Sequence, residues 1–181
     1  MKEKIISSDG LSHNSQNLGK LIITCGKICS GKSVYSKKLK DTLNAVVISL
    51  DEATFDLINN EQGEYFDIFS EKLSNYLTKK VAEIVKAGAN VVYERGLWTK
   101  AARKKIRKYY NDLGIPCEIH YVCVDDETWK KNIEERNQRI MEGRGGSDFY
   151  LNKGLMDKLS SKWEEPSQEE IDVIYNVNRS E

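Results

Sequence analysis

Histidine is scarce in this chain: His13 and His120 are the two in 181 residues. The four cysteines, Cys25, Cys29, Cys117 and Cys123, form no C-x-x-C pair. A zinc site, which needs several such ligands at short spacings, is not expected. Charge of one sign is not in excess, since 28 Lys and Arg balance 28 Asp and Glu. A balanced chain lacks the dominant basic field of a nucleic-acid or anionic-membrane binder, although a local patch stays open. No run of eighteen apolar residues occurs, which argues against a membrane span. The first seventeen residues lack the apolar core of a signal peptide. They are rich in Ser, Asn and Lys, and residues 1–19 read as a flexible arm. Thiols at 25 and 29 suit a reducing compartment, so a cytoplasmic location is expected. No internal repeat, low-complexity tract or second-domain boundary is visible, and the length suits one domain over 20–181.

What is present is Gly26-Lys27-Ile28-Cys29-Ser30-Gly31-Lys32-Ser33, which fits G-x-x-x-x-G-K-[ST]. Gly26 and Gly31 let the backbone bend and approach a polyphosphate closely. The N–H groups of such a loop turn inward to make an anion-binding nest, and the following helix points its positive end at the same place. Lys32 is placed to reach the β- and γ-phosphates and the Ser33 hydroxyl to ligate Mg²⁺. The context agrees: Leu21 to Cys25 is a β-rich apolar run, and Val34, Leu39 and Leu43 recur at helical spacing after the loop.

Strands and helices alternate along the rest, the pattern of a parallel α/β sheet. Strands are expected at 20–25, 45–50, 90–94, 116–124 and 171–177. The second is a continuous apolar run, as for a strand covered on both faces. Residues 52–64 read as a polar segment with a turn at Asn59-Asn60 and Gly63. A long helix is expected over 65–87, its apolar stripe running through Phe66, Phe69, Leu73, Tyr76, Leu77, Val81 and Ile84. Further helices are expected at 100–113, after Asp125 or Asp126, and at 149–163. Gly143, Gly145 and Gly146 form a hinge-like break between the last two.

In a parallel sheet ligands bind beyond the carboxyl ends of the strands. Asp51, Glu94 and Arg95 fall there. Asp51 is either a base that orients and deprotonates an attacking hydroxyl or the cap of a helix starting at Glu52. Glu94 either contacts Mg²⁺ or pairs with the basic helix; Arg95 either grips an anion or is solvated. Arg136, Arg139 and Arg144 lie in or before the glycine-rich break, suited to a mobile lid over about 136–148 that stabilises the charge of phosphoryl transfer, Arg136 first. The cluster Lys100, Arg103, Lys104, Lys105, Arg107 and Lys108 reads as a solvated face, with polyanion binding as the other reading. Cys29 is an incidental loop residue or an oxidation-sensitive switch.

There is no N-K-x-D base-reading motif and no L-S-G-G-Q stretch, so GTPase and transporter-ATPase classes are disfavoured, and a small kinase remains. The chain resembles the AAA-type P-loop predicted kinases, relatives of polynucleotide kinase, chloramphenicol phosphotransferase and the zeta toxins. Five features carry the resemblance from about Lys20 to Val177: the loop Gly26 to Ser33; Ser49-Leu50-Asp51-Glu52; Val91-Val92-Tyr93-Glu94-Arg95-Gly96-Leu97-Trp98; Glu135-Arg136-Asn137; and Trp163-Glu164-Glu165-Pro166 with Glu169 and Glu170. It implies a three-layer fold with helices on both faces of a sheet of order 2-3-1-4-5. It also implies transfer of the ATP γ-phosphate, with Mg²⁺, to an acceptor hydroxyl with Asp51 as base. Lys27, Ile28, Cys29, Ser30, Arg136 and Arg139 would contribute to the nucleotide site, Ser33 and Glu94 to the metal, and Asp51 and Arg95 to the acceptor. Two residues depart from the family pattern: Glu94 stands where Asp is usual, and Arg95 where a neutral residue is common. The acceptor class stays open between a small hydroxylated molecule and a polynucleotide end, beside a nucleotide-dependent binding module with weak turnover.

Overall fold

The structure is a computed structural model that describes residues 17–58, 65–145 and 150–177. The turn expected at 59–63, most of the expected arm, Gly146 and the rest of the expected lid to 148 lie outside the described residues.

Five parallel strands form one sheet: β1 (Leu21–Cys25), β2 (Val46–Ser49), β3 (Val91–Glu94), β4 (Cys117–Cys123) and β5 (Val173–Asn176). Their spatial order is β2-β3-β1-β4-β5. The centre of the sheet goes to the most apolar run, Leu-Ile-Ile-Thr-Cys, all five residues of which are buried. Its neighbour β3 is buried throughout as well. The second strand departs from expectation: β2 is an edge strand, with Val46 45% exposed. An apolar run in a short strand therefore does not show that both faces are covered; position in the sheet decides.

Among the described residues six α-helices connect the strands: α1 (Lys32–Leu43), α2 (Leu50–Ile58), α3 (Phe66–Lys86), α4 (Lys100–Asp112), α5 (Asp126–Met141) and α6 (Lys153–Ser161). The start of the segment read as polar loop is α2. Ser49 Oγ accepts the Glu52 N–H at 3.3 Å, and acidic Asp51 and Glu52 occupy the first turn, where the helix dipole favours them. The stripe of α3 also shifts: Leu73, Thr78, Val81, Ala82 and Val85 are buried, while Tyr76 is 57% exposed. Helix α6 starts later than expected because Asn152 caps it, accepting the Leu155 N–H at 2.9 Å.

The basic helix α4 requires the larger correction. Arg103 is 1% exposed, not solvated. Its guanidinium donates to the Leu97 carbonyl at 2.9 Å and pairs with Glu170 at 3.3 Å. One turn on, Arg107 donates to the Glu170 carbonyl and to Asp172. Asp172 in turn accepts the Ile119 N–H at 2.7 Å. These two arginines hold the approach to β5 onto β4, which a mostly polar tail does not do by hydrophobic burial alone. On the apolar side of α4, Ile106 and Tyr110 are buried while Leu113 is 38% exposed.

Burial acts to raise the Glu170 carboxyl, but the Ser167 N–H and Arg103 outweigh it and hold Glu170 below the usual carboxylate range. Asp172 is likewise depressed, burial being outweighed by Arg107 and the Ile119 N–H. A depressed folded pKa gives stabilisation that is complete above the unfolded value, about 4, and is lost as pH falls through the folded value. Arg103→Met should lower stability by about 3–5 kcal/mol, the cost of leaving a buried pair half made. It should also weaken the acid dependence of stability below about pH 4.5, because Arg103 is one of the groups that hold the Glu170 carboxyl down. Urea melts at pH 7 and pH 3.5 check both; equal midpoints for parent and variant would refute the structural role.

Candidate functional site

The register of the sheet builds the site. Thr24 of β1 and Ser49 of β2 both pair with Glu94 of β3, so the three strands end level. The loop after β1, the start of α2 and the end of β3 therefore converge on one edge. Gly26 is required there: a Cβ on it would lie 2.5 Å from the Val122 carbonyl oxygen and 2.7 Å from Ser30 Oγ. Gly31, at φ 92°, opens α1 without any side-chain cap, which leaves the first N–H groups of that helix for a ligand. Cys29 between them also has a positive φ of 59°, a left-handed turn rare outside glycine.

Lys32 reaches back over the loop, donating to the carbonyls of Lys27 at 2.7 Å and Gly26 at 3.0 Å. Burial pushes its ammonium pKa down, and the carboxylates of Asp51 and Glu94 oppose that shift, so both acids lie within electrostatic reach of it. Ser33 donates its hydroxyl to Glu94 Oε1 at 2.5 Å, and Glu94 is buried. Asp51 is exposed at the start of α2. Since Ser49 holds the capping bond, Asp51 is not the cap of that helix.

Helix α5 supplies the other wall. Asp125 caps it, accepting the Thr128 N–H at 2.8 Å. Trp129 Nε1 donates to the Ile28 carbonyl at 2.7 Å, Asn132 Nδ2 to the Cys29 carbonyl at 2.9 Å, and Arg136 lies 3.9 Å from Cys29 Sγ. Residues 129, 132 and 136 share one helical face, so a single stripe of α5 contacts the loop at Ile28 and Cys29. Arg139 is exposed, and exposed Arg144 pairs with Glu142. Trp129 and Asn132 were not singled out from sequence; their spacing relative to Arg136 was the available signal. Arg95 turns toward α3, donating to Ser74 Oγ at 2.8 Å and lying over the Tyr93 ring. The buried thiol of Cys25 is pushed up to about 11 by loss of solvent, which makes it a poor nucleophile at neutral pH.

The fifth sequence feature proves to be a brace. The Glu164 N–H donates to the Trp98 carbonyl, and its carboxylate accepts the Lys100 N–H. Glu165 accepts from Trp163 Nε1 and from the Tyr121 hydroxyl. This fixes the loop after β3, where Leu97 sits buried at φ 45°.

A nucleotide with its metal fits these residues. The glycine cradle would be filled by one methyl group, the hydroxyl of Ser30 is buried without a hydrogen-bond partner, and Ser33 with Glu94 offers the hard oxygens that Mg²⁺ prefers. Among the described residues no cluster of three His, Cys, Asp or Glu could hold a metal alone. A metal here would complete its shell with phosphate oxygens and water. Among the described residues no helix is long and apolar enough to cross a membrane.

The fold and the loop define a P-loop protein with a kinase-type α/β core. Residues 21–159 match the family described as "AAA domain", and the chain belongs to that P-loop family. It is 29% identical over 154 residues to the "Protein KTI12 homolog" of Arabidopsis thaliana, covering 82% of this chain and 48% of that protein. The chain thus spans about half the length of this curated relative. Among solved structures, a putative kinase from Chloroflexus aurantiacus superposes with TM-score 0.66, at 16% identity over 89% of this chain and 85% of that one. Mycobacterium tuberculosis APS kinase CysC, solved with AMPPNP and APS, gives 0.63 at 17% identity over 90% of each chain. Chaetomium thermophilum Kti12, solved with ADP-AlF3, gives 0.60 at 18% identity over 88% and 89%.

Lys32→Ala removes the one ammonium that spans the loop. Its ATP affinity should fall by about 2–3 kcal/mol, the worth of a desolvated charge-assisted contact. Calorimetry with parent and variant checks this, and equal affinity would take the loop out of nucleotide binding.

Proposed function

We propose that the chain is an ATP-dependent phosphotransferase that moves the γ-phosphate to a hydroxyl of a small-molecule or nucleotide-like acceptor. The observation that carries this reading is the bond between Ser33 and Glu94 beside Lys32, level with the end of β2 two residues before Asp51. Bound Mg²⁺–ATP would supply the transferable phosphoryl group and the cation that neutralises its charge. Lys32 exchanges its two loop carbonyls for phosphate oxygens. Ser33 and Glu94 would hold the metal, the hydroxyl and the carboxylate supplying hard oxygen donors. Asp51, free of the capping bond, orients the acceptor hydroxyl and takes its proton as the new O–P bond forms and ADP departs with the electrons of the broken one. Arg136 lies beside the loop and offsets charge on the equatorial oxygens. The likeness to APS kinase, solved with AMPPNP and APS, supports the reading.

A second reading rests on the Kti12 likeness, since neither relative's name states an acceptor. The same loop would then bind and turn over nucleotide slowly to alter a contact surface. Acceptor-stimulated consumption of ATP separates the two.

With an acceptor found by screening labelled ATP against metabolites and oligonucleotides, Asp51→Asn should lose transfer about a hundredfold to ten-thousandfold. ATP affinity should change less than tenfold, and folding stability by no more than a first-turn charge is worth, about 0.3–1 kcal/mol. Transfer at near-parent rates by the folded variant would end the assignment of Asp51 as base.

A further inference from the structure

All three tryptophans of the chain meet in one place. Trp98, Trp129 and Trp163 line a pocket of about 130 Å³ together with Met156, Leu159 and Lys27. The pocket abuts the phosphate loop at Lys27, on the side away from Gly31 and the start of α1, none of whose residues line it. Its rings are held before any ligand arrives. Trp129 is fixed by its bond to the Ile28 carbonyl and Trp163 by its bond to Glu165. Trp98 and Trp163 stand edge to face, 83° apart with centroids 6.2 Å apart. They offer one flat wall and one edge at a right angle, the arrangement that receives a planar ring.

Two polar groups there are unspent. The Lys27 ammonium makes no ion pair or hydrogen bond among the described residues, its contact being the Trp129 ring at 5.4 Å. The Trp98 indole N–H has no acceptor among the described residues. An engineered cavity of ~150 Å³ takes one benzene ring, so this volume suits a single six-membered ring rather than a fused pair. The cation at its rim selects for an anionic group beside that ring.

We infer that this pocket binds a single aromatic ring carrying a neighbouring anionic group, as a pyrimidine nucleotide or an aryl phosphate does. Open-chain and purely sugar ligands lack the planar ring that the tryptophan walls receive. A lone apolar gap left by imperfect packing would show neither ring preference nor dependence on charge.

The test uses the full chain with saturating Mg²⁺–ADP, so that the nucleotide site is filled. Uridine 5′-monophosphate, phenyl phosphate, uridine, adenosine 5′-monophosphate and glucose 6-phosphate are titrated against tryptophan fluorescence. Saturable quenching is expected for the first two, at least tenfold weaker for uridine and adenosine 5′-monophosphate, and absent for glucose 6-phosphate. Ser160→Trp, on α6 at the pocket wall and outside the nucleotide site, should fill the space. It should abolish uridine 5′-monophosphate binding by calorimetry while leaving melting temperature and ADP affinity unchanged. Because Ser160→Trp is exposed and adds bulk rather than removing a partner, folding is preserved; Leu159→Trp serves as the second filling variant. Equal uridine 5′-monophosphate affinity in parent and both filling variants, or no saturable binding by any ring compound, overturns the proposal while the phosphotransferase reading stands. Failure of ATP binding in the parent would overturn that reading by itself and leave the pocket assignment to its own titration.

Discussion

At Gly26 the backbone comes so close to the Val122 carbonyl that no side chain fits between them. The rest of the site depends on that approach. It brings the chain out of β1 and directly over the end of β4, which lets the loop fold back under Lys32 rather than run on into solvent. The loop's carbonyls find partners on two sides. Lys32 satisfies two of them from within, and Trp129 and Asn132 satisfy two more from α5. The loop conformation is thus held by hydrogen bonds to its carbonyls. These bonds tie α5, which leads into the expected lid, to the phosphate loop.

The same economy of polar contacts assembles the far side of the sheet. The tail from Trp163 to Val177 has little apolar surface to bury, and β5 is largely exposed. Arg103 and Arg107 fasten it through Glu170 and Asp172, and Tyr35 stacks on Tyr175 at 4.1 Å while donating toward His120. Glu164 and Glu165 pin the loop that carries Leu97 and Trp98. Fold stability and the walls of the aromatic pocket are therefore set by one set of bonds, so a change in α4 will be felt at Trp98 and Trp163.

The strands, the order of elements and the phosphate loop were legible in the sequence because they rest on local rules: an apolar run, a helical period, a glycine where the backbone must bend. The sheet order came by resemblance and agrees with the structure. What was not legible depends on distant partners. Arg103 and Lys104 are neighbours of identical charge, and only the fold reveals that one faces Glu170 and the other solvent. The cap of α2 is Ser49 rather than Asp51, a shift of two residues that local preference does not resolve, since both types cap well. The burial of β2 was misjudged because a strand's own residues do not state whether it lies at an edge. Trp129 and Asn132 went unnoticed since hydrogen bonds to loop carbonyls leave no compositional mark.

We propose that the bond between Ser33 and Glu94 is the protein-only form of a metal site completed by nucleotide. The most direct measurement is ATP binding by calorimetry with and without Mg²⁺, in the parent and in Ser33→Ala. Mg²⁺ is expected to strengthen ATP binding at least tenfold in the parent and by less than twofold in Ser33→Ala, with similar affinities for metal-free ATP. ATP affinity indifferent to Mg²⁺ in the parent, or an equal Mg²⁺ effect in both proteins, would contradict it.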